Sequence, residues 1–212
     1  MIRVLIADDH HLVRFGISRL LTEKGIAVVG EAANGEEAIQ FVKQNVVDVV
    51  LMDIRMPGIG GLEATKKILR YAPDIKVIAV TAYDDTMFTS RLLQAGASGY
   101  ISKGAGPDEM VIAIQKVFSG QRYLSPEIAQ RMALSHFDPS EQSPFDKLSE
   151  RELQIALMIV GCQKVADIGD KLFLNPKTVN SYRYRIFEKL GIDGDVELTH
   201  MAMRHGLIDP AN

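Results

Sequence analysis

Five short β-branched runs alternate with five amphipathic stretches over the first 119 residues, and few folds accommodate that rhythm. The runs fall at residues 2–7, 26–31, 49–52, 76–80 and 98–101. The stretches near 11–23, 35–44, 61–71, 85–95 and 107–119 carry apolar residues at helical spacing. Local punctuation agrees. Asn34 stands three positions before Glu37, the arrangement of a capping box. Pro107 followed by Asp108 and Glu109 fits a helix start, with proline in the first turn and acids against the helix dipole. Five βα repeats predict an α/β fold, a doubly wound five-stranded parallel sheet with helices on both faces. The order 2-1-3-4-5 places functional groups at the carboxyl ends of the strands.

Near residue 120 the texture changes. Ser125 as a cap with Pro126 behind it predicts one more helix, over 125–135. SHFDPSEQSPFDK, residues 135–147, is polar, proline-interrupted and without periodicity, which reads as a linker. Beyond Lys147 no strand pattern remains. Ser149 and Glu152 stand in capping-box register before an apolar helix, and VADIGDKLFL, NPKTVNSYRYRIFEKL and DVELTHMAMRHGL follow as three more helical patterns. The chain therefore divides into an α/β domain over 1–121, a helix and linker over 122–147, and an all-α domain over 148–212, large enough to fold alone.

Composition narrows the class. Hydrophobic content of 47% and charged content of 24% in 212 residues suit ordinary globular domains. A single cysteine, Cys162, excludes an intrachain disulfide framework and fits a reducing compartment. Following the apolar stretch 155–160, it reads as a small core residue. The N-terminus reaches Asp8 too soon for a signal peptide, and no apolar run approaches the roughly 20 residues of a membrane span. The expectation is a soluble, cytoplasmic protein that does not engage the membrane.

VVLMDIRMPGIGG, residues 49–61, ends an apolar run on one carboxylate and then breaks into proline and glycine. Asp53 at that break has company. Asp8 and Asp9 follow the first strand, which neighbours the third, so the three carboxylates meet at one sheet edge. Together they repel unless a hard cation sits among them, and Mg2+, which takes a few oxygens and keeps its waters, suits the set. Thr81 follows the fourth strand and Lys103 the fifth. A hydroxyl donor and a point charge at the same edge suit an anionic phosphoryl group. Each residue alone has a plain reading: a helix cap, a strand end, a solvated lysine. Five at successive strand ends make coincidence the weaker account. His10 and His11 could be metal ligands, but adjacent histidines at a helix start point in different directions, so they read as rim or cap residues.

In the tail, VADIGDKLFL and NPKTVNSYRYRIFEKL have the outline of a helix-turn-helix, with the turn at Leu174–Asn175, Asn175 as cap and Pro176 behind it. Val179, Ile186 and Leu190 give the second helix a buried side. Lys177, Asn180, Ser181, Tyr184 and Arg185 lie opposite, flanked by Arg183 and Lys189. Between Lys171 and Lys189 five cations face one acid, Glu188, a local basic patch hidden by the whole-chain charge of −3. A helical bundle for protein contact would explain the same face as solvated charge.

ADDHHLVRFGI, VVLMDIRMPGIGGLEA, VTAY and AGASGYISK resemble segments of the receiver domain of bacterial two-component response regulators. The resemblance implies that Asp53 is the phosphoacceptor for a sensor histidine kinase. It implies that Asp8, Asp9, Asp53 and the backbone carbonyl of Arg55 hold Mg2+, and that Lys103 contacts the phosphoryl oxygens. Thr81 and Tyr100 become the switch pair, with Tyr100 moving from an exposed to a buried position. Pro57 and Gly58 shape the loop that leaves room for metal and phosphate. Gly104 departs from the pattern, because many receivers carry proline after the lysine.

LSERELQIALMIV, VADIGDKL and KTVNSYRYRIFEKLGI resemble the LuxR/NarL type of helix-turn-helix output domain, and with SPFDKLSEREL and GDVELTHMAMRHGL the chain resembles the GacA/UvrY subgroup. That resemblance implies a transcription regulator, not an enzyme. Its second helix would lie in the major groove of double-stranded DNA, with Asn180, Ser181 and Tyr184 near base edges and Lys177, Arg183 and Arg185 on phosphates. The implied partners are a hybrid sensor kinase or its phosphotransfer domain, RNA polymerase, and a second copy of the chain on DNA. The implied targets are genes for small regulatory RNAs. In the last helix Val196, Met201 and Ala202 match the stripe by which such domains pair, and packing within the domain explains that stripe equally well.

Two other classes share parts of the pattern. An aspartate-nucleophile phosphatase typically has a second aspartate two places after the nucleophile, where this chain has Arg55. A flavodoxin-like binding domain needs a phosphate-cradling loop after the first strand, where Asp8 and Asp9 repel anions.

Overall fold

The computed structural model describes residues 1–81, 86–137, 143–205 and 207. Residues 82–85, at the end of VTAY, and 138–142, in the middle of the expected linker, lie outside that set. The chain forms two compact units, Met1–Phe137 and Asp138–Asn212.

The first unit contains strands β1 (Arg3–Ala7), β2 (Ala27–Ala32), β3 (Val49–Asp53), β4 (Lys76–Thr81), β5 (Gly99–Ser102) and β6 (Tyr123–Leu124). Their order is 2-1-3-4-5-6, and all neighbouring pairs are parallel. Helices α1 (His11–Glu23), α2 (Gly35–Gln44), α3 (Gly60–Tyr71), α4 (Thr86–Gln94) and α5 (Pro107–Phe118) alternate with the first five strands, and α6 (Pro126–Phe137) follows. The doubly wound sheet is as expected, except that it has six strands instead of five. β6 is only two residues long and continues the sheet through Tyr123 N–H to Ser98 and Ser125 N–H to Tyr100, each 3.1 Å. Two residues carry no periodicity, so the strand left no pattern in the sequence.

β3 is buried at all five positions because it is central and covered on both faces. Val49 and Leu51 join Ile6, Ile78, Ile101 and α5 on one side, and Val50 and Met52 join Leu5, Val77 and the α2–α3 layer on the other. Caps fix the helix starts. Asn34 accepts from Glu37 N–H at 2.8 Å, while Glu37 accepts from Ala33 N–H at 2.8 Å. Ser125 behaves differently from a capping serine: its hydroxyl is buried and makes no hydrogen bond among the described residues.

The second unit begins with a 3-10 turn, Pro144–Lys147, inside the stretch read as linker, and Phe145 in it is fully buried. Then come α7 (Glu150–Val160), α8 (Val165–Leu172), α9 (Pro176–Leu190) and α10 (Asp195–Arg204). Ser149 and Glu152 form the capping box of α7. Cys162 lies outside the core, exposed in the α7–α8 turn with φ 57°, which corrects the sequence reading. α7 stops at Val160, so Cys162 falls beyond its apolar stripe. Among the described residues no helix is long and apolar enough to cross a membrane.

Candidate functional site

The chain must leave β3 sharply for Asp53 to be presented at the sheet edge. Asp53 is the last residue of β3, paired beside Val80, and Thr81 is the last residue of β4. The following loop is pinned by buried Ile54 and Met56 and turned by Gly58 and Gly60, with φ of 76° and 73°. α3 then approaches so closely that a Cβ on Gly61 would stand 1.9 Å from the Asp53 carbonyl oxygen. That approach accounts for a glycine at this position.

Asp8 and Asp53 are 2% and 3% exposed, and Lys103 bridges them: its Nζ lies 2.7 Å from an oxygen of each. The Arg55 N–H donates to Asp53 Oδ1 at 3.2 Å. Burial pushes the Asp53 carboxyl up to about 6; Lys103 pulls it down, and the Asp8 charge pushes it up again. Burial disfavours the Lys103 ammonium, but its bonds to Asp53 and Asp8 hold its pKa above the usual lysine value. The buried edge therefore carries more negative charge than one ammonium balances. Ligand atoms of Asp8, Asp9, His10 and Asp53 all lie within 4.8 Å of one another, and this donor set fits a divalent cation.

Thr81 and Lys103 arrive at that edge with the aspartates, and the Lys103 N–H donates to the Thr81 carbonyl. Tyr100, in β5, is 1% exposed, so it already occupies the buried position. Gly104 donates its N–H to Ser102 Oγ at 3.1 Å, a bond proline would not make. One contributor escaped the sequence reading. The Arg14 guanidinium donates to the Asp8 carbonyl at 2.6 Å and pairs with Glu31 at 3.2 Å, holding the Asp8 turn against the end of β2. His10 turns its ring onto Asp8 and Asp9.

In the second unit, α8 ends at Phe173 in the left-handed region, and Asn175 caps α9 by accepting from Thr178 N–H at 2.8 Å. The turn is tight: a Cβ on Gly169 would lie 2.7 Å from the Leu174 carbonyl. Val179 and Ile186 are fully buried, and Leu190 is half-buried. Lys177, Ser181, Tyr184 and Arg185 are exposed and Asn180 is half-buried. Arg183 does not share that free face. It pairs with Asp195 of α10, donates to Asn180 at 3.2 Å, and stacks over Phe187. Lys189 likewise reaches Glu152 at 2.6 Å. The expected α10 stripe divides: Ala202 is fully buried, Met201 half-buried and Val196 70% exposed. Val196 shares its outward side with Met203 instead.

An acidic sheet-edge pocket and a helix-turn-helix on one chain define the class of response regulators that act through DNA. Residues 4–115 match the response regulator receiver domain, and residues 146–202 match the luxR family of bacterial regulatory proteins. The chain belongs to the LuxR-type response regulators, a family of transcription regulators. It is 63% identical over 210 residues to the response regulator GacA of Pseudomonas protegens, with 99% of each chain covered. It is 60% identical over 209 residues to the response regulator UvrY of Escherichia coli K12, covering 98% of this chain and 96% of that one. Among solved structures, one of two RcsB dimers bound to two parallel DNAs matches with TM-score 0.58 at 25% identity, over 94% of this chain and 97% of that one.

Proposed function

We propose that Asp53 accepts a phosphoryl group from a sensor histidine kinase, of hybrid type, or from its phosphotransfer domain, and that this event controls DNA binding by the second unit. The observation that carries the reading is the Lys103 ammonium shared at 2.7 Å by two buried carboxylates, one of them at a strand end. An Asp53 oxygen attacks phosphorus; the new P–O bond forms as the P–N bond of phosphohistidine breaks and the imidazole leaves with the electron pair. Asp8, Asp9, Asp53 and the Arg55 carbonyl would hold Mg2+, which neutralises charge on the phosphoryl oxygens. Lys103 contributes its positive charge to the same oxygens. The product adds roughly two negative charges beside Thr81, whose hydroxyl donates to it. Tyr100 packs behind as the second member of the switch.

The receiver spans residues 1–121, a helix and linker 122–147, and the DNA-binding domain 148–212. Asn180, Ser181 and Tyr184 supply base-edge contacts, and Lys177 and Arg185 phosphate contacts. Arg183 mainly braces α9 against α10, since Asp195 already holds it. Two copies pair on DNA through the exposed Val196 and Met203. They act with RNA polymerase in the cytoplasm on genes for small regulatory RNAs.

The test is intact mass after incubation with acetyl phosphate and Mg2+. The parent gains one phosphoryl group and Asp53→Ala gains none. No gain by the parent, under conditions that label another receiver, overturns the reading.

A further inference from the structure

His10 stands at the acidic edge without a role in the reading above. It is the N-cap residue of α1, and its own N–H donates to Asp8 Oδ1 at 2.8 Å, which fixes the backbone independently of the ring. The ring then folds back over the turn. Its Nδ1 lies 2.8 Å from Asp9 Oδ1 and 3.3 Å from Asp8 Oδ1. Around an octahedral ion with donors at about 2.1 Å, adjacent donors stand about 3 Å apart and opposite donors about 4.2 Å apart. The donor atoms of the four side chains all lie within 4.8 Å of one another, a little beyond the widest separation in such a sphere, so small turns of the side chains would bring them into it.

The ring does not compete with Lys103. The ammonium sits on Asp8 Oδ2 and the imidazole on Asp8 Oδ1. At 67% exposed, the imidazole can turn from hydrogen-bond donor to ligand with little loss of packing. Hard Mg2+ is served by carboxylate, carbonyl and water, whereas imidazole suits first-row transition ions.

We propose that His10 is a fourth side-chain ligand of this pocket, raising its affinity for a transition ion such as Mn2+ relative to Mg2+. The inference rests on the reading of Asp8, Asp9 and Asp53 as a cation site, and the test separates the two. Full-length protein is loaded with Mn2+, and nitrogen-14 hyperfine coupling is measured by pulsed electron paramagnetic resonance. The parent and a His11→Gln control show an imidazole coupling. His10→Gln loses it, and so does His10→Asn, which supplies a good N-cap side chain. Competition gives the second readout: the Mg2+ concentration that displaces half of the Mn2+ falls on the order of tenfold in both His10 variants. Bound Mn2+ without nitrogen coupling in the parent, or competition unchanged by the His10 variants, removes His10 from the sphere and leaves the carboxylate site standing. If the parent binds no more Mn2+ than Asp53→Ala does, the cation site falls and His10 with it.

Discussion

Asp53→Asn should stabilise the metal-free receiver, although it removes an ion pair to Lys103. Asparagine keeps the size of the side chain and mimics its neutral form. Burial raises the Asp53 carboxyl from 3.8 to about 6 in the folded state, so folding favours the protonated carboxyl. At about 1.4 kcal/mol per pKa unit, the shift corresponds to about 3 kcal/mol. Asp53 is 3% exposed, so solvent screening requires no discount. The sign follows from the raised pKa. The contribution of the acid is fully present below 3.8, declines as pH rises through about 6, and is absent above. The advantage of asparagine should therefore grow from about 0.5 kcal/mol near pH 4 to about 3 kcal/mol at pH 7, and then level off.

Urea unfolding of the full chain without divalent ions, followed by circular dichroism at several pH values, reads this difference directly. Adding Mg2+ supplies a second check. At a hundredfold excess over its dissociation constant it stabilises the parent by about 2.7 kcal/mol, which nearly closes the gap, and affects the variant far less. A variant no more stable than the parent at pH 7, or a gap that does not change between pH 4 and 7, refutes the account of an under-compensated buried charge.

Gly61→Ala should cost about 3 kcal/mol or more and prevent phosphorylation, since its Cβ would meet the Asp53 carbonyl at 1.9 Å; urea unfolding and intact mass check both. Arg185→Ala should weaken binding to all DNA sequences and lower the salt slope by about 1, with stability within about 0.5 kcal/mol of the parent. Arg183→Ala should instead cost about 1–2 kcal/mol of stability, because it strips Asp195 of its partner; comparing melting with salt-dependent binding separates the two arginines. Glu152→Ala should cost about 2 kcal/mol through the lost capping box and the unpaired Lys189. Burial raises the Glu152 carboxyl, but Lys189 and Ser149 together pull it below its usual 4.5, so its contribution is present above that value and fades as pH falls further. Thermal melting of parent and variant from pH 7 down to 3 reads the loss.

Much of this architecture was legible because periodicity reports burial. β3 reads as apolar throughout since both its faces are covered, and the polar residue that ends such a run must lie at the sheet edge. Asp8, Asp53, Thr81 and Lys103 were visible for that reason. β6 was not, because two residues joined by backbone bonds impose no side-chain pattern. The α10 stripe failed on helical geometry. Successive residues advance about 100°, so Ala202 lies about 120° around the helix from Val196, while Met203 returns to within about 20° of it. Ala202 is accordingly buried, and Val196 and Met203 remain outside.

The residues least legible were those whose partners come from distant segments. Arg14 drew no reading and Arg183 read as a phosphate contact, yet each is held by an acid on another element, Glu31 and Asp195. Sequence spacing describes which face of its own element a residue occupies, and says nothing about a charge brought in by a neighbouring element. The same gap bears on His10. Its adjacency to His11 argued against a shared ligand role, but a site of this kind needs only one of the two rings. The tight turn that places Asp8 and Asp9 also carries His10 back over them. The geometry of a single turn therefore decides between rim residue and ligand.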